Sequence, residues 1–326
     1  MKKILAIAVM AAAVLTSCVK NEIVSPAGEI NFNAVNLKNT KAEVYGPIAD
    51  ATYPTNEHFG VFAFHSANGF ADTYMNNVEV SKYGSEAYWR HATDTYYWPK
   101  DATLKFACYS PYADVNTIAT ATAAEGVMFT GFVAPTDVTK QIDLMVSEVS
   151  GELDATAGGD GTVNVTFHHL LSQIRFTVKT DKNYGVYDKV DNFKINSVTF
   201  TAQGKADYAS TNGTIAGGDW DNLSTPANYD ALGGTPYYVT KDGSKQNLGT
   251  ALLIIPQTAG EITVNYTIDY DGTNKVTTDY KFTPVAGWER NKINIYNITI
   301  GLNEIKFAPE VQTWDTPAIE EDELIK

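Results

Sequence analysis

Apolar and polar residues alternate with a period of two along most of this 326-residue chain, the spacing that sends successive side chains to opposite faces of a strand. Ile30, Phe32 and Ala34 alternate with Glu29, Asn31 and Asn33. Phe59 to Phe64 is a continuous apolar run, as in a strand covered on both faces. Tyr96-Tyr97-Trp98-Pro99 leads into a strand-like Leu104 to Tyr109, and Val127 to Val133 is a further candidate. Beyond a polar, glycine-rich stretch from Gly151 to Gly161, two more strands flank His168-His169-Leu170-Leu171-Ser172. They are Val163 to Phe167 and the alternating Ile174, Phe176 and Val178. Ile262, Val264, Tyr266, Ile268 and Tyr270 keep the period up to Asp271-Gly272, a hairpin dipeptide between alternating runs. From Ile293 to Leu302 the apolar set moves from odd to even positions near Tyr296, where a β-bulge would change the face. Helical periodicity is hard to find. The pattern predicts an all-β chain of two antiparallel β-sandwich domains, joined near residues 150–162.

The first residues follow a different rule. Lys2 and Lys3 precede an apolar run from Ile4 to Leu15, short of the roughly 20 residues a membrane span needs but suited to a secretory leader. Leu15-Thr16-Ser17-Cys18 closes it. Small residues before a cysteine at that point form a lipobox, so residues 1–17 read as a lipoprotein signal peptide and Cys18 as the acylated first residue of the mature chain. Several acyl chains (palmitate among them) anchor stably where one would be marginal. Cys108 is the only other cysteine, so an acylated Cys18 leaves no intramolecular disulfide to form. Within its strand-like run Cys108 reads as a buried structural thiol, and stability must come from core packing.

Removing residues 1–17 leaves 309, enough for two domains of common size. Loss of Lys2 and Lys3 takes the net charge from −14 to −16. An acidic chain with only three arginines (Arg90, Arg175, Arg290) argues against nucleic acid, anionic membranes and phosphate as partners. The run Glu320 to Glu323 reads as a solvated tail end.

Candidate chemistry is sparse. Of the five histidines, His168 and His169 are adjacent, and on a strand they point to opposite faces and could not easily share an ion. Asp269-Tyr270-Asp271-Gly272 resembles the start of a calcium loop, but the twelfth position is Tyr280 where glutamate is needed. Metalloprotease, zinc-ribbon, nucleophile-elbow and phosphate-loop signatures are absent. Catalytic, metal and cofactor sites are therefore not expected, and the chain is not read as an enzyme. Nineteen tyrosines and five tryptophans raise one alternative. Tyr88, Trp89, Tyr96, Tyr97 and Trp98 could form a stacking platform for sugars, making this a surface-anchored glycan-binding lipoprotein. Cross-strand packing in a sheet explains the same residues and is the favoured reading.

Taken together, four passages resemble the fimbrillin family, the FimA-like subunits of type V pili. They are the lipobox at Cys18, Phe59 to Phe64, Tyr97-Trp98-Pro99-Lys100 with Phe106 to Pro111, and Trp288 to Lys292 running through Ile298 to Leu302 and on to Ile305, Val311 and Trp314. His168 to Phe176 also resembles the strand that opens the family's second domain. The resemblance implies two transthyretin-like β-sandwiches, spanning residues 42–158 and 159–302. It also implies export as an outer-membrane lipoprotein, a protease that removes a lipidated propeptide with its first strand, and refilling of that slot by a donor strand from another subunit. An open strand edge exposes unpaired backbone groups that an added strand satisfies. In this chain the propeptide would be residues 18–41, with Ile30, Phe32 and Ala34 on the lost strand. The tail 303–326 would supply the donor face through Ile305, Phe307, Val311 and Thr313, with Pro309 limiting its hydrogen bonds. The other reading of that tail is a last strand of its own domain. The family's cleavage follows arginine, whereas none precedes Arg90 here. Lys41-Ala42 is the candidate bond, with Lys38 second; without cleavage the protein would be a non-polymerising anchor or accessory subunit. Its partners are then copies of itself or related pilins, the processing protease and a surface receptor that the residues do not identify.

Overall fold

A computed structural model describes residues 28–36, 53–82, 84, 88–91, 93–185, 190–302 and 305–314. Cys18, Lys38, Lys41 and Ala42 lie outside the described residues. The first half contains β1 (Asn31–Asn36), β2 (Phe59–His65), β3 (Asp72–Lys82), β4 (Trp89–His91), β5 (Leu104–Ser110), β6 (Ala119–Thr122), β7 (Gly126–Val133), β8 (Met145–Val146) and β9 (Thr162–His169). Among the described residues one short α-helix, α1 (Tyr112–Val115), lies between β5 and β6. The second half contains β10 (Ser172–Thr180), β11 (Asn192–Thr211), β12 (Thr214–Asp230), β13 (Tyr237–Val239) and β14 (Gln246–Ile254). It ends with β15 (Ile262–Asp269), β16 (Lys275–Phe282), β17 (Lys292–Ile300) and β18 (Ile305–Thr313). The protein is all-β.

Three sheets hold these strands. A closed barrel runs β1-β4-β3-β2-β5-β8-β9, a four-stranded sheet runs β14-β10-β17-β18, and a larger sheet runs β16-β15-β11-β7-β6 with β12 and β13 also paired to β11. Period-two burial explains how each strand serves its neighbours. Phe59, Val61 and Ala63 of β2 point into the barrel core with Phe106 and Cys108 of β5. Phe62 and Phe64, with Ala107 and Tyr109, fill a second core outside it, which also takes Leu170, Leu171, Leu253, Ile293 and Trp314 from the other half. A third core around Phe176, Phe193, Val264, Trp288 and Ile298 lies between the other two sheets. The continuous apolar run of β2 is thus a strand buried on both faces, as its pattern predicts. Cys108 is buried, and loss of solvent pushes its thiol up to about 12, the state of an inert structural cysteine.

Four features differ from the sequence reading. The sheets are mixed, since β1 runs parallel to β9 and β10 runs parallel to β17. Strand 162–169, read as opening the second unit, instead closes the barrel between β8 and β1. The β6–β7 hairpin pairs with β11 rather than with the barrel, so sheet membership does not follow the midpoint of the chain. No bulge occurs near Tyr296, because β17 keeps continuous register with both β10 and β18. Its apolar positions change phase because the strand passes between two cores. Ile293 serves the second core, and Tyr296, Ile298 and Ile300 serve the third.

Candidate functional site

β1 is a barrel strand held from outside the main run of the chain. It makes six parallel pairs with β9, from Asn31↔Thr162 to Asn36↔Phe167, and meets β4 through Phe32↔Trp89. Just before it, the Ile30 N–H donates to the Tyr96 carbonyl at 2.9 Å and the Trp98 N–H to the Gly28 carbonyl at 3.2 Å. The alternation read from sequence is a plug of three side chains, with Ile30 and Phe32 fully buried and Ala34 nearly so. Phe32 meets Phe59 and Phe106 edge-on, with ring centres 5.9 and 5.8 Å away. Burying a side chain such as Ile30 or Phe32 stabilises by about 1.5–3 kcal/mol. Vacating this slot would expose Phe59, Phe106, Val163 and Val165 along with the paired edge of β9.

A charged clamp secures the entry to β1, which sequence reasoning did not find. The Glu29 carboxylate lies 3.3 Å from Arg90 Nη1 and 3.0 Å from His91 Nε2. Burial holds the His91 imidazole below its ordinary value, outweighing the pull of Glu29. The unfolded chain, with His91 near 6.5, therefore binds that proton more readily than the folded one. Stability is expected to fall as pH drops below about 6.5, where the unfolded state takes up the extra proton. A thermal-unfolding series between pH 7.5 and 5 checks this. The His91→Gln protein should lose part of the wild-type pH slope, and identical slopes would refute it.

β18 is an edge strand, antiparallel to β17 through nine pairs from Lys292↔Thr313 to Ile300↔Ile305. The candidate donor residues are spread along it. Ile305 is buried, Thr313 is half-buried, and Val311 is 51% exposed. The Phe307 backbone pairs with Ile298. Ala308, Pro309 and Glu310 are also exposed, and Pro309 brings no N–H to its position opposite Tyr296. The segment is held mostly by backbone pairing and lightly by packing. This is the arrangement of a last strand on its own sheet.

The aromatic region is core rather than platform. Trp89 lies in the barrel core with Lys82 Nζ 4.0 Å over its ring, and Trp98 packs on Phe106 and donates from Nε1 to the Gly161 carbonyl at 2.9 Å. Tyr88 and Tyr96 are half-buried, leaving Tyr97, at 41%, as the exposed ring of the five. His168 and His169 end β9 on opposite faces, and only His169 is buried. Its partners, Asp143 and Trp314, are far away in sequence and carry no motif that would have announced them. Among the described residues no group of three His, Cys, Asp or Glu side chains is placed to hold a metal ion. No helix among them is long and apolar enough to cross a membrane.

This fold occurs in solved structures. A fimbrial protein from Bacteroides vulgatus is 20% identical with a TM-score of 0.58, over 88% of this chain and 100% of that one. A candidate cell adhesion protein from Bacteroides uniformis is 20% identical with a TM-score of 0.52, over 88% and 99%. Another from Parabacteroides distasonis is 11% identical with a TM-score of 0.51, over 90% and 99%. No curated protein matches the chain. The fimbrillin-like family model matches residues 40–314, taking in every strand from β2 to β18, and the chain belongs to that family.

Proposed function

We propose that this protein is a structural subunit of a cell-surface fimbrium that polymerises by strand exchange and supports adhesion, with no catalytic role. The observation that carries the reading is β1. It is a short N-terminal strand that, with Ile30 just before it, buries three side chains, lies outside the residues matched by the family model, and completes the barrel. A protease cutting near Lys41-Ala42 would separate β1 from the rest of the chain, and with it the lipid on Cys18. The vacated slot would take an extended segment of a second copy or a related pilin, whose backbone pairs with β9 and whose alternate side chains fill the core. β18 is the segment of this chain best suited to leave, since its side chains from Ala308 to Val311 are exposed on its own sheet. The fimbrial and cell-adhesion proteins that share the fold support a surface location, and the lipobox supports an outer-membrane precursor.

An anchor or accessory role is the second reading, favoured by one observation: no arginine precedes Arg90. An arginine-specific protease would then leave β1 in place and the subunit lipid-bound. The glycan-binding alternative has lost its two tryptophans to the barrel core.

The test is intact mass and SDS-resistant ladder formation before and after trypsin-like cleavage near Lys41. A ladder that forms on cleavage, and fails to form when residues 305–314 are deleted, is the expected result. A protein that stays monomeric after clean loss of β1 would overturn polymerisation by strand exchange.

A further inference from the structure

The far end of β18 is held by more than its pairing with β17. Trp314, the next residue, is fully buried, and its indole stacks on the His169 imidazole with centres 4.1 Å apart and planes 8° from parallel. His169 is also fully buried, and its Nδ1 lies 2.8 Å from an Asp143 carboxylate oxygen. The Trp314 N–H donates to the Asn291 carbonyl at 2.9 Å. With residues 308–311 exposed and 312–313 half-buried, Trp314 is the one fully buried side chain at this end of the segment, added to its backbone pairing.

His169 is the last residue of β9, and β9 is supported unevenly. Residues 162–167 pair with β1, while β8 meets β9 only at His168 and His169. Toward β8, residues 163–166 and 168 face the segment 147–150 across a cleft of about 240 Å³. That segment bonds to β5 instead, through the Ser147 N–H to the Cys108 carbonyl at 2.8 Å and the Ser150 N–H to the Phe106 carbonyl at 2.9 Å. Loss of β1 would therefore leave residues 162–167 of β9 without their ladder, a run that stops two residues short of the histidine that clasps Trp314.

We propose that β9 is a lever between the two ends of the chain: the His169–Trp314 stack latches β18 to its own sheet, and β1 seated on β9 keeps that latch closed. Loosening β1 frees β9, weakens the stack and lowers the cost of releasing β18. Coupling of this kind is reciprocal, so unseating Trp314 must also weaken β1. Its purpose rests on the reading of β18 as a donor strand, but its test needs no polymer.

The test is hydrogen exchange on the full-length monomer. Trp314→Phe, which keeps much of the buried ring, accompanies Trp314→Ala in case the latter does not fold. Amides of 305–313 should exchange about tenfold faster or more, tenfold being about 1.4 kcal/mol of opening free energy. Amides of 31–36 and 162–167 should speed up with them, and β15 should not. Phe32→Ala should in turn speed 305–313. Acceleration confined to 305–313 overturns the coupling. Equal acceleration in β11 and β15 overturns the latch, since Trp314 would then be general core packing. A coupled monomer that forms no polymer after trimming refutes only strand donation, whereas a polymerising chain without coupling refutes this proposal.

Discussion

Replacing Phe32 by alanine is expected to lower the unfolding free energy of the barrel by about 3–5 kcal/mol, the range for truncating a fully buried phenylalanine. The side chain has no exposed surface, and its ring sits edge-on to both Phe59 and Phe106. Those two rings come from β2 and β5, which are themselves paired, so the space cannot collapse without moving the barrel wall. Asn33→Ala is the matched control. Its side chain is exposed and bonds Asn164 at 3.0 Å, and its removal should cost about 0.5–1.5 kcal/mol. Chemical denaturation followed by tryptophan fluorescence reads both, since Trp89 and Trp98 lie in the same core. A Phe32→Ala loss below about 1 kcal/mol would mean that β1 is not seated as a core strand, and the strand-exchange reading would lose its basis.

Trp288→Ala should have an effect at least as large, in the opposite half of the molecule. The indole is buried 4.9 Å from the Phe200 ring, and its Nε1 donates to the Tyr296 hydroxyl at 3.0 Å. Its backbone exchanges two hydrogen bonds with Gln257, so the residue ties the loop before β17 to the end of β14. Truncation costs about 3–5 kcal/mol for the ring, and about 1–3 kcal/mol more where the Tyr296 hydroxyl is left without its donor. Trp288→Phe separates the two, keeping most of the ring while removing the donor, and should cost the smaller amount. Denaturant midpoints at unchanged m-value check the pair. Equal losses from Phe and Ala would show that the hydrogen bond, not the packing, dominates. This residue is remote from β1, so its effect should leave β1 exchange in step with the global change.

Much of the fold was legible where one residue type reports one environment. The alternation at Ile30, Phe32 and Ala34, and the unbroken apolar run of β2, each correspond to a strand with the expected faces buried. The Asp271-Gly272 turn joins β15 to β16 as a hairpin, with Gly272 at φ 75°. The long hairpin of β11 and β12 was not read from the sequence, although Asn212-Gly213 at its turn, both at positive φ, is a hairpin dipeptide, because the polar residues along β12 conceal the strand. Legibility failed at β17, because a strand wedged between two cores produces the same phase change as a bulge. At Trp89 and Trp98 the favoured packing reading agrees with the structure, although composition alone did not say which of the five aromatics the barrel encloses.

What the sequence by itself determined is local: the strands with clear alternation and their buried faces, the Asp271-Gly272 turn, and the family resemblance carried by their order. Period-two alternation is a property of a few consecutive residues and survives without any partner. Tertiary structure alone decided which strands pair, and hence everything that makes the candidate site. The parallel seating of β1 on β9 links residues about 130 apart, and the stack of His169 on Trp314 links residues about 145 apart. Such contacts depend on how loops close and cores stack, and no local pattern records them.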